Sequence, residues 1–234
     1  MTPTYSHALI IGAGSGVSAS LARLFDEKGL RVALAARSTD KLKGLADETG
    51  ATLHTCDAKD PDAIASVFAE LDDHGAPDLV VYNPSARVPG PVAEIDAAAV
   101  RDAVGTTALG AFYAGQQAAR RMLPAGHGAI LFTGATAGVK GYPGSAAFAM
   151  GKFALRGLAQ SMARELHPKG IHVGHFVIDG GIRNPDRPGR VDGPDNPDSM
   201  LDPDAIARTY WHFLEQDRSS WSWEIELRPW VERF

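Results

Sequence analysis

The chain is poor in cysteine: Cys56 is its one thiol among 234 residues. An internal disulfide framework is therefore excluded. No apolar run reaches membrane-spanning length, so no transmembrane helix is expected. There is no block of basic residues, and the formal charge is -5. A nucleic-acid partner, which requires clustered cations to neutralise phosphates, is not expected. His54, His74, His127, His167, His172 and His212 lack metal-ligand spacing, and no metal site is proposed. A Gly-x-Ser-x-Gly nucleophile turn is missing around the strand ends, which disfavours a hydrolase. No basic region precedes the short apolar run within residues 1–12, so a signal peptide is not expected. These absences together lead to the expectation of a soluble, cytoplasmic protein.

What is present is an alternation. Short uninterrupted apolar runs at residues 7–11, 30–36, 51–56, 79–82, 128–133 and 171–178 read as buried strands, with a last short strand at 223–227. Between them lie segments with helical spacing: 15–29, 38–49 with Ser38 as a candidate N-cap, 60–74 opened by Asp60-Pro61, 95–123 as one or two helices, 144–167 and 202–215. Strands alternating with helices give right-handed crossovers and a parallel sheet covered on both faces. The expected fold is α/β, a doubly wound parallel sheet of Rossmann type with about seven strands, formed as one domain over the whole chain. Residues 179–200, rich in Pro, Gly, Asp and Asn, are long for a loop and come after a strand's carboxyl end. They read as a substrate lid or as a disordered insertion.

Gly12-Ala13-Gly14-Ser15-Gly16 lies between the first strand and the first helix. Glycines there allow a tight turn and close approach of backbone to a pyrophosphate, while the N–H groups of the helix start, Val17 included, offer donors. The second strand ends in Ala35-Ala36-Arg37-Ser38. A carboxylate at that end would select NAD by binding ribose hydroxyls. Here Arg37 and Ser38 suit a 2′-phosphate instead, so NADP is expected over NAD.

With these motifs the chain resembles the classical short-chain dehydrogenase/reductase family along nearly its whole length. Gly12 and Gly16 match the family's glycine motif, and Ser18 stands at its third glycine. Asp57 matches the adenine-contacting aspartate. Asn83 and Ala86 match the motif after the fourth strand, from which Pro84 and Ser85 depart. Residues 155–173 fit the family pattern beyond its lysine, and Asp179-Gly180-Gly181-Ile182 resembles the turn after the sixth strand. Asn184 stands where a threonine often holds the nicotinamide carboxamide. The resemblance implies cofactor contacts from Gly12, Gly14, Ser15, Gly16, Val17, Arg37, Ser38, Asp57, Asn83, Lys152 and Ile182.

The family's catalytic positions are altered. Its tyrosine, four residues before a lysine and so on the same helical face, is Phe148; the lysine is Lys152. Its serine aligns with Ala135 and its asparagine with Thr107. Phenylalanine cannot donate a proton, and positioned proton transfer is worth about a hundred- to ten-thousandfold in rate. Three readings are open. A substitute group can act, with Lys152, Thr136 and Tyr142 as candidates and Thr133, His175 and Asp179 nearby. The substrate can be an imine or activated alkene that needs no proton during hydride transfer. Or the chain binds its nucleotide without turnover, as a sensor, scaffold or inactive subunit. The first two make it an atypical NADP-dependent oxidoreductase acting on a small organic substrate. A dense aromatic tail, Trp221, Trp223, Trp230 and Phe234, is expected to pack on the core or on another subunit of a homodimer or homotetramer.

Overall fold

A strand buried on both faces must be apolar at nearly every position, and β1 (His7–Ile11) meets this condition from Ala8 onward. Its side chains alternate between faces. Ala8 and Ile10 join one hydrophobic cluster, while Leu9 and Ile11 join the other. In a computed structural model, which describes residues 4–232, β1 lies within a seven-stranded sheet, third from one edge.

The remaining strands are β2 (Arg31–Ala36), β3 (Thr52–Thr55), β4 (Leu79–Tyr82), β5 (Gly128–Thr133), β6 (Ile171–Ile178), a short pair β7 (Gly181–Ile182) and β8 (Met200–Leu201), and β9 (Glu224–Leu227). The main sheet runs β3-β2-β1-β4-β5-β6-β9, with every pairing parallel. The order reverses at β1/β4, the crevice where open α/β sheets bind ligands.

Helices α1 (Val17–Glu27), α2 (Lys43–Thr49) and α7 (Pro203–Leu214) cover one face. The other carries α3 (Pro61–Asp72), α5 (Gly110–Ala125) and α6 (Ala146–Leu166). A further helix, α4 (Ala97–Val104), precedes α5. Fully buried Phe25, Phe68, Phe176 and Phe213 anchor the two layers, each worth about 1.5–3 kcal/mol of burial. None of the described helices is long and apolar enough to cross a membrane.

Some local expectations are corrected. Ser38 caps no helix: the segment opens with a 3-10 turn (Asp40–Leu42) whose N-cap is Thr39. Residues 95–123, read as one or two helices, are two, α4 and α5, joined by a π-helical turn (Gly105–Leu109). Apolar periodicity carries no mark of that widened turn. Residues 179–200 are not a structureless insertion. They contain β7 and the start of β8, which pair with each other, and Arg183 donates to Asp192 at 2.7 Å while Asp192 accepts from the Met200 N–H at 2.8 Å.

The tail packs largely on its own chain. Trp221 stacks on His172 at 4.2 Å, and Trp223 lies against the second cluster beneath Arg156. The His172 ring is held between Phe213 and Trp221, and burial lowers its pKa to about 3, so it stays neutral. Trp230 is 80% exposed, and Phe234 lies outside the described residues.

Candidate active site

The carboxyl ends of β1, β2, β4, β5 and β6 open into a cleft of about 1040 Å³. That matches the upper end of the range of small-molecule and cofactor sites. Its first wall is the glycine turn. Gly12 takes φ +79°, and a Cβ there would lie 2.6 Å from the Pro84 ring. Both facts require glycine. Gly12→Ala is therefore expected to destabilise the fold by at least about 2 kcal/mol, from positive-φ strain and overpacking together. A lowered urea midpoint with unchanged slope would register this.

Gly14 has the opposite surroundings: a Cβ would meet nothing within 4 Å. The backbone here faces open cleft. The N-terminus of α1 has no side-chain cap and no acidic residue in its first turn. Its N–H groups and positive dipole end are thus left for an anion from outside. Ser15, Gly16 and Val17 complete this cradle.

Asn83, expected at the cofactor, also locks the turn. Its Nδ2 donates to Ser18 Oγ at 2.7 Å, and that hydroxyl donates to the Gly12 carbonyl at 3.2 Å. The serine in place of a third glycine thus ties β4 to β1. Across the cleft, Asn184 is buried and its Nδ2 lies 3.4 Å from Ser15 Oγ, so the 179–200 segment reaches the glycine turn.

At the β2 end, Ala36 leaves no carboxylate, and Arg37 and Ser38 line the cleft beside Asp57. Lys41, which sequence reading missed, joins them. It lies four residues after Arg37 in the 3-10 turn, so both cations come to one side; only the turn makes this spacing informative.

At the other end lies Lys152, only 2% exposed, with Nζ donating to the Thr133 carbonyl at 2.6 Å. Burial, reinforced by the charge of Arg87, pulls its pKa down to about 7. Phe148 stands one helical turn earlier, its ring centroid 6.0 Å from Nζ. Ala135 and Ile182 also border this end.

Other candidates are placed elsewhere. Thr136 does not line the cleft: its hydroxyl donates to Asp179 Oδ1, and Asp179 also pairs with Arg228 at 3.1 Å. Tyr142 is 46% exposed, with Lys140 against its ring, and is not a lining residue either. Thr133 turns its hydroxyl to Tyr210 at 2.9 Å. Thr107 Oγ1 accepts from the Ala86 N–H at 3.2 Å, inside the π-helical turn. His175 is fully buried, bound through Nδ1 to Glu224 at 2.9 Å, and desolvation lowers its pKa to about 4.

A further residue that sequence reading missed is Arg87. It comes directly after the Asn83-Pro84-Ser85-Ala86 turn, and its Cζ lies 4.1 Å from the Phe148 ring centroid.

Comparison with known proteins places this geometry. The short chain dehydrogenase family matches residues 6–184. The cyclic-di-GMP-binding biofilm dispersal mediator protein of Escherichia coli (strain K12) is 35% identical over 191 residues, 81% of this chain and 74% of that protein. The crystal structure of a short-chain dehydrogenase from Rhodopseudomonas palustris is 35% identical with a TM-score of 0.82, covering 96% of this chain and 99% of that one. A metagenomic short-chain oxidoreductase in complex with NADP is 26% identical, TM-score 0.81, covering 97% and 98%. A parallel sheet with an uncapped glycine turn at its switch point, matched over three quarters of its length, belongs to the short-chain dehydrogenase family of NAD(P)-dependent oxidoreductases.

Proposed function

We propose that the protein transfers hydride between NADP and a small organic substrate, through an active site whose tyrosine and serine positions hold Phe148 and Ala135. The observation that carries this is the cleft's layout. An uncapped helix start and two cations at the β2 end lie at one side, and a buried lysine of lowered pKa lies at the other.

The residues fit the cofactor. The backbone at Gly14 to Val17 would hold the pyrophosphate. Arg37 and Lys41 would hold the 2′-phosphate, with Ser38 adding a hydroxyl, and Asp57 and Asn83 would border the adenosine half. The NADP complex of the metagenomic relative supports this choice. Arg37→Ala is expected to weaken NADPH binding about ten- to hundredfold, the value of a charge-assisted hydrogen bond, and to leave NADH nearly unchanged. Fluorescence titration with each nucleotide checks it; equal losses for both would remove Arg37 from 2′-phosphate recognition.

When bound, the cofactor supplies or takes a hydride. For reduction, the carbon of a substrate C=O or C=N bond would take the hydride given up by the reduced nicotinamide, and its heteroatom would need one proton. Phe148 has no proton to give. Thr136 is committed to Asp179, and Tyr142 stands outside the cleft. The titratable donor left on the floor is Lys152. With a pKa of about 7 it is part protonated at neutral pH, where a general acid works best. Imines and activated alkenes place the least demand on that proton.

A second reading, nucleotide binding without turnover, rests on Phe148 and on the E. coli relative, whose name records cyclic-di-GMP binding. Tight binding of that dinucleotide with no NADPH oxidation would favour it. The protein assembles as a homodimer or homotetramer in solution; Leu109 of the π-helical turn, Phe112 of α5, and Met150 and Phe153 of α6, all more than 40% exposed, support this. Light scattering at a monomer mass would contradict it.

A further inference from the structure

Seven charged side chains border the cleft, and six are cations: Arg37, Lys41, Arg87, Lys152, Arg187 and Arg190, against the carboxylate of Asp57. The chain as a whole is acidic, with formal charge -5. Positive charge is therefore concentrated here against the overall balance. Arg37 and Lys41 are accounted for by a 2′-phosphate, and the α1 N-terminus by a pyrophosphate. Arg87 is not accounted for. It belongs to the end where Phe148 and Lys152 lie, and Asp57 is at the β2 end, beside Cys56 and Ala58.

Arg87 makes no hydrogen bond and no ion pair through its side chain among the described residues. What holds it is the face of Phe148, at 4.1 Å. A guanidinium on an aromatic face keeps its N–H edge free for a planar bidentate acceptor. Phenylalanine carries no oxygen that could accept from those donors. Arg190 enters from the 179–200 segment, whose Asn184 already touches the glycine turn. Its Nη1 lies 2.9 Å from where a Cβ on Gly181 would stand, so Gly181 makes room for the guanidinium. Like Arg87 it has no side-chain ion partner among the described residues. The two charges also sense each other: partial desolvation, then Arg190, lowers the pKa of Arg87. Two cations lining one cleft, neither paired with a carboxylate among the described residues, repel, and an anion bound near both would replace that repulsion with attraction.

We infer that the substrate is a small oxo- or iminocarboxylate, whose carboxylate is bound by Arg87, seated on Phe148, in a cleft that Arg190 also lines. The identification rests on the hydride-transfer reading for the reducible group, and chiefly on Arg87 for the anion. Phe148 then serves as the platform for a substrate-binding cation, and Arg87 is a specificity determinant. A carboxylate suits it better than a point anion, because the edge of a guanidinium matches two oxygens in one plane.

The test uses the full-length protein and three acids that step the carboxylate away from the oxo carbon: pyruvate, acetoacetate and levulinate, each beside its neutral methyl ester. NADPH is titrated first, by its own fluorescence. Each probe is then titrated calorimetrically, with and without saturating NADPH, against wild type, Arg87→Met and Arg87→Lys. The expected result is that at least one acid binds wild type tenfold or more tightly than its ester. Arg87→Met abolishes that preference, Arg87→Lys keeps part of it, and NADPH affinity changes less than twofold in both. Equal acid and ester affinities in wild type would overturn the inference, as would an acid preference that survives Arg87→Met. A loss of NADPH affinity in Arg87→Met equal to the loss for the acid would also overturn it, since Arg87 would then belong to the cofactor. Failure of wild type to bind NADPH would strike the hydride-transfer reading instead. The acid–ester ratio without nucleotide would still decide the anion site.

Discussion

Lys152→Met is expected to lower NADPH-dependent reduction about a hundred- to ten-thousandfold, the range of a positioned proton donor, while the protein stays folded. Nζ is fully buried, and its observed partner is the Thr133 carbonyl. Its ammonium form pays for desolvation without a carboxylate beside it. This places the folded pKa near 7 instead of the usual 10.5. Two pH signatures result. Reduction should fall as pH rises through about 7, where Lys152 loses its proton, and the methionine variant should lose that limb.

The stability signature has a definite sign. Between about 7 and 10.5 the unfolded chain holds a proton on Lys152 that the folded chain has lost. Stability therefore rises with pH across that window. Below about 7 both states are protonated, and the penalty of the buried charge is present in full. The variant should accordingly melt higher than wild type in neutral and acidic buffer, with the difference closing towards pH 10. Unchanged turnover in Lys152→Met would remove the lysine from the chemistry. A melting difference that grew with pH would show that the ammonium is not destabilised at all.

Phe148→Tyr should act in the opposite direction. The substitution puts a phenol one turn before Lys152, on the same face of α6. Its ring would lie 6.0 Å from Lys152 Nζ and 4.1 Å from Arg87 Cζ, if it kept the present position. Two cations that close favour the phenolate and lower the phenol's pKa towards the working range. Reduction of neutral ketones is expected to rise about a hundredfold, the lower end of the value of a positioned proton donor. Ala135→Ser in the same chain should add more, by supplying the missing donor to the carbonyl oxygen. The ratio of kcat/KM values for a simple ketone in wild type, single and double variants measures both steps. No gain in either variant would mean that the cleft does not present a carbonyl to this face of α6.

Much of the fold was legible in the sequence because its signals are local. Strands buried on both faces are apolar almost without interruption, so β1, β4, β5 and β6 fall where the runs lie. The Asp60-Pro61 signal marks a helix start, and Asp60 does accept from the Asp62 N–H at 2.9 Å. The glycine turn lies at the switch point because chain order fixes both.

Other features depend on contacts that no local pattern records. Thr136 and Tyr142 are near the lysine in sequence, but Asp179 claims the hydroxyl of one and the loop carries the other out of the cleft. The π-helical turn at Thr107 carries no periodic signal. Arg87 on Phe148 joins the loop after β4 to α6, residues far apart in sequence. An arginine after a strand reads as a solvated charge until the ring beneath it is seen. Arg190 was hidden within a Pro- and Gly-rich stretch whose internal contacts, the Arg183–Asp192 pair among them, have no local pattern.

The most direct test monitors NADPH absorbance after the purified protein is mixed with ketone, imine, enone and oxocarboxylate panels from about pH 5 to pH 9, on either side of the Lys152 pKa of about 7, with NADH in parallel. The expected result is tight NADPH binding and turnover on at least one panel, faster below pH 7 than above it. Tight binding with no oxidation on any panel would contradict an oxidoreductase and leave a nucleotide-binding protein built on the same fold.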